Sequence, residues 1–455
     1  MKLGSLGTIG LTACAWLAIG LAPWAAAQAA THKILYSFCA QAGCADGGGP
    51  RAGLLMDASG DLFGTTNDGG DIGTDGDREG TVFELIPNAR KTKWKYKRLH
   101  SFCALKNCAD GAEPTASLIM DTSGNLYGTT SYGGVSESGT AFELVFTGRK
   151  WKFKLLHAFC AKGTDGCVDG EWPHQGLTYA GASTGTPYDG TSTLYGTTEG
   201  GGSFQDSFGF GEGTAFQLSP VEGTKKWKEK VIYSFCSNSG CGTVLPQPSS
   251  ALLVDGAGNL YGTTGQDRFN GNLFELKPNA RRTKWTETTL YNFCTRSNCA
   301  DGLDPIDDSL ILDSAGNLYG TTITGGAHYP ASTGGTVFKF DTETSQLSTA
   351  YSFCALANCG DGTRPRSGLV MNSSGDLFGT TTEGGDESID SDGGGTVFKL
   401  SGGTLQSIYK FCTQADCADG KDPEAGLIMD ASGTLYGTTE DGGANGGGTV
   451  FAITP

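Results

Sequence analysis

The chain has 455 residues, with 48 Asp and Glu set against 32 Lys and Arg, for a formal net charge of −16. So acidic a protein lacks the basic face that a phosphate backbone requires, which excludes nucleic acid as an expected partner. Glycine is abundant, at 73 residues, but has no collagen period, so it marks tight turns and crowded strands.

Residues 1–29 read as a signal peptide. Lys2 precedes an apolar run from Ile9 to Ala27, and Ala27-Gln28-Ala29 supplies small residues for cleavage. An uncleaved membrane anchor is the competing reading. Leu11-Thr12-Ala13-Cys14 also has the form of a lipoprotein box, but the apolar run continues well past Cys14, so cleavage near Ala29 is expected. No later stretch is apolar enough to cross a membrane. The mature chain is expected to be secreted or held at the cell surface.

The first strand after the leader spans Lys33–Phe38 and stands alone. Beyond it, one heptapeptide organises the chain. Gly124-Asn125-Leu126-Tyr127-Gly128-Thr129-Thr130 returns, nearly letter for letter, at 60–66, 193–198, 258–264, 316–322, 375–381 and 433–439. Seven copies mean one supersecondary unit repeated seven times. In the second unit, Ser117–Met120 is a short apolar strand and Asp121–Asn125 a tight turn. Leu126–Thr130 is a second strand, Ser131–Gly139 a glycine-rich loop, Thr140–Leu144 a third strand and Trp151–Phe159 a fourth. No amphipathic segment of helix length occurs. The last unit has only three strands, ending at 449–453, and the lone strand 33–38 is the missing fourth. The pattern predicts an all-β, seven-bladed propeller over residues 30–455, closed by the N-terminal strand joining the C-terminal blade. An open β-solenoid would not need this split blade. A closed ring of this kind is expected to be a monomer.

Apart from Cys14, the cysteines fall into seven local pairs: Cys39/Cys44, Cys103/Cys108, Cys160/Cys167, Cys236/Cys241, Cys294/Cys299, Cys354/Cys359 and Cys412/Cys417. In an exported chain these read as disulfides, each inside its own loop. Zinc is the weaker reading, because each repeat offers two cysteine ligands where a structural site takes four.

The pattern G-L-x-x-D-x-x-G-N-L-Y-G-T-T, followed by G-T-V-F, stands at Gly426–Thr439 with Gly448–Phe451, and at Ser309–Thr322 with Gly335–Phe338. It resembles the bacterial tandem-repeat family called GloVer, over essentially the whole mature chain. The resemblance implies an exported repeat protein of varied surface anchorage, and it supplies no catalytic motif.

Candidate chemistry lies in the loops. An Asp-Gly pair follows six of the seven cysteine loops, at Asp46, Asp110, Asp169, Asp301, Asp361 and Asp419. A ring of carboxylates would suit acid–base work, but six-fold repetition favours an Asx turn that fixes each loop. His100 and His157 stand where other repeats have Tyr, as packing or hydrogen-bonding substitutes. No Ser-His-Asp or zinc-protease spacing emerges. Two glycine loops share the spacing D-x3-D-x-D, at Asp71, Asp75 and Asp77 and at Asp386, Asp390 and Asp392. Three carboxylates on one loop suit calcium, the one cofactor the sequence suggests; a solvated acidic loop is the competing account. Basic clusters at 90–98, 149–154, 225–230 and 277–284 hold 18 of the 32 Lys and Arg, each beside a Trp. They suit either docking on an anionic envelope polymer or an outer strand guarded by lysine.

The third unit departs most from the repeat. Its cysteine loop runs into Glu171-Trp172-Pro173-His174, and its glycine loop carries Phe204, Phe208 and Phe210. Tyr132 occupies the equivalent loop of the neighbouring unit. Flat aromatic surfaces beside a few polar groups are what a sugar ring requires, so these residues, Pro173 apart, form the expected ligand site. The alternative is that the aromatics fold back as a private mini-core. The function expected is a non-catalytic binding module for glycan or envelope material. A polysaccharide hydrolase or lyase on the same face, and a purely structural surface protein, are the alternatives.

Overall fold

The computed structural model describes residue 1 and residues 30–73, 76–161, 166–203, 211–236, 247–265, 270–305, 310–329, 333–386, 388 and 390–455. Residues 2–29, Asp75, Cys241 and the three phenylalanines of the third glycine loop lie outside the described residues.

Each repeat forms a four-stranded antiparallel sheet, and the seven sheets are the blades of a propeller. Blade 1 has strands Leu55–Met56, Leu62–Thr66, Thr81–Pro87 and Trp94–Ser101, from the central channel outward. Blades 2 to 6 repeat this order, their inner strands being Ile119–Met120, Thr178–Tyr179, Leu253–Val254, Ile311–Leu312 and Val370–Met371. Blade 7 has Ile428–Met429, Leu435–Thr439 and Thr449–Thr454, and its fourth strand is Thr31–Ser37 from the other end of the chain. That strand runs antiparallel to the last one, from Thr31 opposite Thr454 to Ser37 opposite Thr449. The ring is therefore closed by backbone hydrogen bonds, which leaves blade 7 with no missing outer strand.

The heptapeptide explains itself residue by residue. Its Leu is buried in the blade core. Its Gly leaves room for a neighbour: a Cβ at Gly128 would lie 2.8 Å from the ring of Phe142 and 2.8 Å from Leu118. Its two threonines face different ways. The first reaches the next blade, as Thr129 Oγ1 donates to the carbonyl of Gln175 at 3.1 Å, and Thr438 to that of Ala52 at 3.3 Å across the closure. The second pairs within its own blade, as Thr130 with Thr140 at 2.8 Å. Between blades, phenylalanines pack edge to face, as Phe102 on Phe142. These buried polar groups are hydrogen-bonded, as burial requires.

Six of the expected disulfides are present: Cys39 with Cys44, Cys103 with Cys108, Cys160 with Cys167, Cys294 with Cys299, Cys354 with Cys359, and Cys412 with Cys417. Cys236 is also disulfide-bonded, and its sequence partner Cys241 lies outside the described residues. Sulfurs joined in this way are not thiolates, so these cysteines are not zinc ligands.

The structure adds a detail to these loops. Cys44, Cys108, Cys299, Cys359 and Cys417 each end a three-residue 3-10 turn. The reason is the short ring that each bridge closes, which the chain can complete only by turning tightly. Both cysteines of every described bridge have positive φ, between 44° and 60°. The carbonyl of the second cysteine then serves two loops. That of Cys44 accepts from the amides of Gly47 (2.8 Å) and Gly70 (2.9 Å), and that of Cys108 from Gly111 (2.7 Å) and Gly134 (2.8 Å). Cys299, Cys359 and Cys417 repeat this with Gly302 and Gly326, Gly362 and Gly385, and Gly420 and Gly443. Each bridge thus fixes the neighbouring glycine loop as well as its own. Apart from these five turns, the only helical piece among the described residues is the 3-10 turn Ala182–Thr184. No helix among them is long and apolar enough to cross a membrane.

Candidate ligand site at the upper mouth of the channel

The cysteine loops and glycine loops share one face, here the upper one. They pair locally, as Gly48 with Asp68, Ala112 with Tyr132, Glu171 with Gly200 and Lys421 with Asp441. The repeated aspartates hold this face together. Asp46 accepts hydrogen bonds from Tyr36 (2.7 Å) and from the amides of Ala40 and Gln41 (both 3.0 Å). Asp110, Asp301, Asp361 and Asp419 do the same in their loops. A one-residue bulge in the fourth strand, between Ile34 and Tyr36 in blade 7 and at the same place in the other blades, turns the ring toward its aspartate. Five of the six aspartates are thus fixed as loop anchors, and the sixth, Asp169, lies 3.1 Å from His157 Nε2.

A cavity of about 1040 Å³ runs into the centre of the ring. Small residues (Gly53, Ser117, Gly176, Ala251) and aliphatic ones (Ile119, Leu253, Ile311, Val370) form its wall. An insertion in blade 3 lies beside its lower part. There Ala182 and Ser183 line the cavity, Ser183 Oγ donates to the carbonyl of Val254 at 2.6 Å, and Tyr188 is wholly buried against Tyr127.

The upper mouth breaks the seven-fold pattern. The residue after each loop proline faces the cavity, and it is Arg51, Thr115, His174, Ser249, Arg366 or Glu424 in the six described cases. Arg51 of blade 1 bridges to blade 7, donating to Glu440 (Nε to Oε1, 2.9 Å) with Glu424 3.8 Å away. Burial, then the adjacent Glu440 carboxylate, pushes the Glu424 carboxyl up, against the pull of Arg366 and Arg51. Beside them, burial lifts Asp422 to about 7; Lys421 opposes the shift, and Asp441, Glu440 and Glu424 add to it. Burial also raises Asp441, Asp68 and Glu113. Across the mouth, His174 Nε2 meets Glu199 Oε2 at 3.0 Å, and the Tyr132 ring stands edge-on to His174 at 6.0 Å. Carboxylates, guanidinium groups and the raised carboxyl of Asp422 offer both acceptors and donors to a hydroxyl-rich ligand.

Of the residues singled out in the sequence, Tyr132, Glu171, Trp172 and His174 all lie on this face. Tyr132 is exposed, and the other three are half-buried. Trp172 has φ 58°; its amide donates to Ser138 of blade 2 and its carbonyl accepts from Glu199. Burial raises the Glu171 carboxyl. The structure brings Tyr132, His174 and Glu199 together. Phe204, Phe208 and Phe210 are outside the described residues. In the acidic loops, Asp71 is paired with Arg98 at 2.8 Å and Asp390 with Lys421 at 2.6 Å. Asp386 caps the amide of Ser388, Asp392 donates its amide to Asp390, and Asp77 is exposed. The basic strands pair within or between blades, as Lys97 with Glu84 (2.7 Å), Lys154 with Glu143 (2.6 Å) and Lys91 with Asp430 (3.0 Å).

Arg51, Arg366, Glu424 and Glu440 were not singled out by reading along the chain. Their signal lies in the column after the loop proline and in the column after the Thr-Thr pair. The first holds Arg, His and Glu besides neutral residues, and the second holds Glu among neutral residues, between columns that scarcely change.

Seven four-stranded blades define the class, a closed β-propeller, here with an upper mouth lined by repeat-breaking loop residues. Within that class, the chain belongs to the Gloeobacter/Verrucomicrobia repeat family, which matches residues 24–193 and 248–455. No curated protein matches it. Among solved structures it is similar to the Cps50 (Swd1) β-propeller domain of Myceliophteria thermophila, with 12% identity and a TM-score of 0.49 over 89% of this chain and 97% of that one. It is also similar to an ancestral GH74 enzyme, at 8% identity and a TM-score of 0.48 over 82% and 54% of the two chains. A puromycin-hydrolysing peptidase of Mycobacterium tuberculosis aligns at 10% identity and a TM-score of 0.38, over 86% and 58%.

Proposed function

We propose that this propeller is an extracytoplasmic binding module that takes a glycan at the upper mouth of its channel. One observation carries the reading: the groups that break the repeat, Arg51, Arg366, Glu424, Glu440, His174 and Glu199, converge on the rim of a cavity of about 1040 Å³. Symmetric scaffolds place function where symmetry fails, and polar groups beside an apolar wall are what a small-ligand site needs. Tyr132 and the half-buried Trp172 stand on the same face as flat surfaces for a sugar ring. The disulfides fit an oxidising compartment. The test is a glycan-array screen of the mature chain, run with and without calcium because of the carboxylate spacing at Asp71–Asp77 and Asp386–Asp392. Binding that Trp172→Ala weakens without loss of melting temperature supports the reading; no glycan bound in either condition overturns it.

A second reading rests on the carboxyl pair Glu424 and Glu440. Two carboxyls pressed together, one held toward its protonated form, are the equipment of acid–base hydrolysis. Release of new reducing ends from a bound polysaccharide, abolished by Glu424→Gln, would distinguish this reading from binding alone.

A further inference from the structure

At several seams between blades, the ring that bonds the loop aspartate meets one residue from the fourth strand of the following blade. Between blades 7 and 1, Tyr36 stacks on Tyr96 at 4.6 Å. Between blades 6 and 7, Tyr409 stacks on His32 at 4.0 Å. Between blades 1 and 2, His100 stacks on Phe153 at 5.0 Å while its Nε2 lies 3.1 Å from Asp110.

The seam between blades 2 and 3 is different. His157 Nε2 again lies 3.1 Å from its aspartate, Asp169. The stacking position, however, is occupied by Glu229. One donor atom each from His157, Asp169 and Glu229 falls within 4.8 Å of the others. Asp169 is buried, and His157 and Glu229 are half-buried. The three come from separate segments: the fourth strand of blade 2, the cysteine loop after it, and the fourth strand of blade 3. An aromatic there would have buried an apolar face. Glu229 instead brings a second carboxylate to the same imidazole, and two carboxylates with one imidazole make a donor set for a cation.

We infer that His157, Asp169 and Glu229 form a site for one divalent ion of the zinc class, which clips blade 2 to blade 3. In a tetrahedral zinc site with ligand bonds of about 2.0–2.1 Å, neighbouring donor atoms lie about 3.3 Å apart. The His157–Asp169 edge already has that dimension at 3.1 Å. Glu229 closes the third corner by a small rotation of its side chain, and water takes the fourth. One imidazole and two carboxylates suit zinc, cobalt or nickel better than calcium, which takes six to eight oxygens. The His100 seam is an internal control, because it has the same His–Asp pair at the same distance but an aromatic ring in place of the third donor.

The test is a zinc titration of the untagged mature chain, disulfides intact, after chelator treatment and followed by calorimetry. Cobalt absorption reports the coordination. The expected result is one equivalent of zinc per chain and a melting temperature that rises at saturating zinc. Glu229→Phe installs the residue of the control seam, and His157→Tyr installs the ring found in most repeats. Both are expected to fold, to weaken zinc uptake at least ten-fold and to lose the zinc-dependent rise in melting temperature. Two results overturn the site: no saturable uptake by the parent, or uptake by Glu229→Phe equal to the parent's. A melting temperature that is indifferent to zinc in parent and variants alike assigns the trio to an ordinary hydrogen-bonded seam, and it too sinks the proposal.

Discussion

At the scale of the residue, the upper mouth is defined by carboxyls held away from their ordinary behaviour. Asp422 shows it best. Burial raises its carboxyl to about 7, and the folded state therefore keeps a proton that the unfolded chain has released by about pH 4. Between those values the native state binds more protons than the unfolded one, so this residue's contribution to stability falls as pH rises from about 4 to 7 and is flat above that. Asn keeps the shape without the charge, and it tolerates the positive φ of 55° found here. Asp422→Asn is therefore expected to match the parent near pH 4 and to exceed it by roughly 1–3 kcal/mol at pH 8, read from urea melts across that range. A stability difference that does not change with pH would show that this carboxyl titrates normally.

At the scale of the element, the second strand of each blade is organised by its glycine and its two threonines. The repeated heptapeptide placed this strand correctly on sequence alone, as Leu126–Thr130 shows. The sequence also showed that Gly128 and its six counterparts mattered, but not why. The reason is tertiary: the third strand's Phe142 and the inner strand's Leu118 occupy the space a Cβ would take. Gly128→Ala is expected to cost about 1–3 kcal/mol by overpacking, measured by chemical denaturation; a neutral result would mean that the two side chains shift freely. The inner strands are shorter than the apolar runs suggested. Ala116, beside Ser117, gives its carbonyl to Thr65 of blade 1 instead of to a ladder. The division of the Thr-Thr pair into one bond between blades and one within a blade was likewise hidden, because both partners lie some ten to fifty residues away in the chain. The cysteine pairs were legible from their spacing. The 3-10 turns ending at Cys44, Cys108, Cys299 and Cys359 were not, because such turns show no hydrophobic period.

At the scale of the whole molecule, blade number, four-stranded blades and closure were all legible, because seven near-identical strands and a split unit leave little other topology to build. The candidate site was legible only in part. Tyr132, Trp172 and His174 stood out because they interrupt a local pattern. Arg51 and Glu440 did not, since they are 389 residues apart and meet only once the ring closes. That closure makes the N-terminal strand a part of the proposed site's support. Deleting residues 31–37 is expected to expose the edge of Thr449–Thr454, abolish cooperative melting and promote aggregation, as followed by circular dichroism and light scattering. A truncated chain that melts like the parent would remove the strand from the fold's essentials.

The measurement that bears most directly on the proposed role is the affinity of the mature chain for its best array-identified glycan, determined by calorimetry for the parent and for a variant combining Arg51→Met with Glu424→Gln. These substitutions take the charges out of the mouth while leaving the loop aspartates in place. A loss of roughly ten-fold or more in affinity, with the melting temperature held within a few degrees, is the predicted result. Equal affinity in parent and variant would place the ligand elsewhere and contradict a site at the upper mouth of the channel.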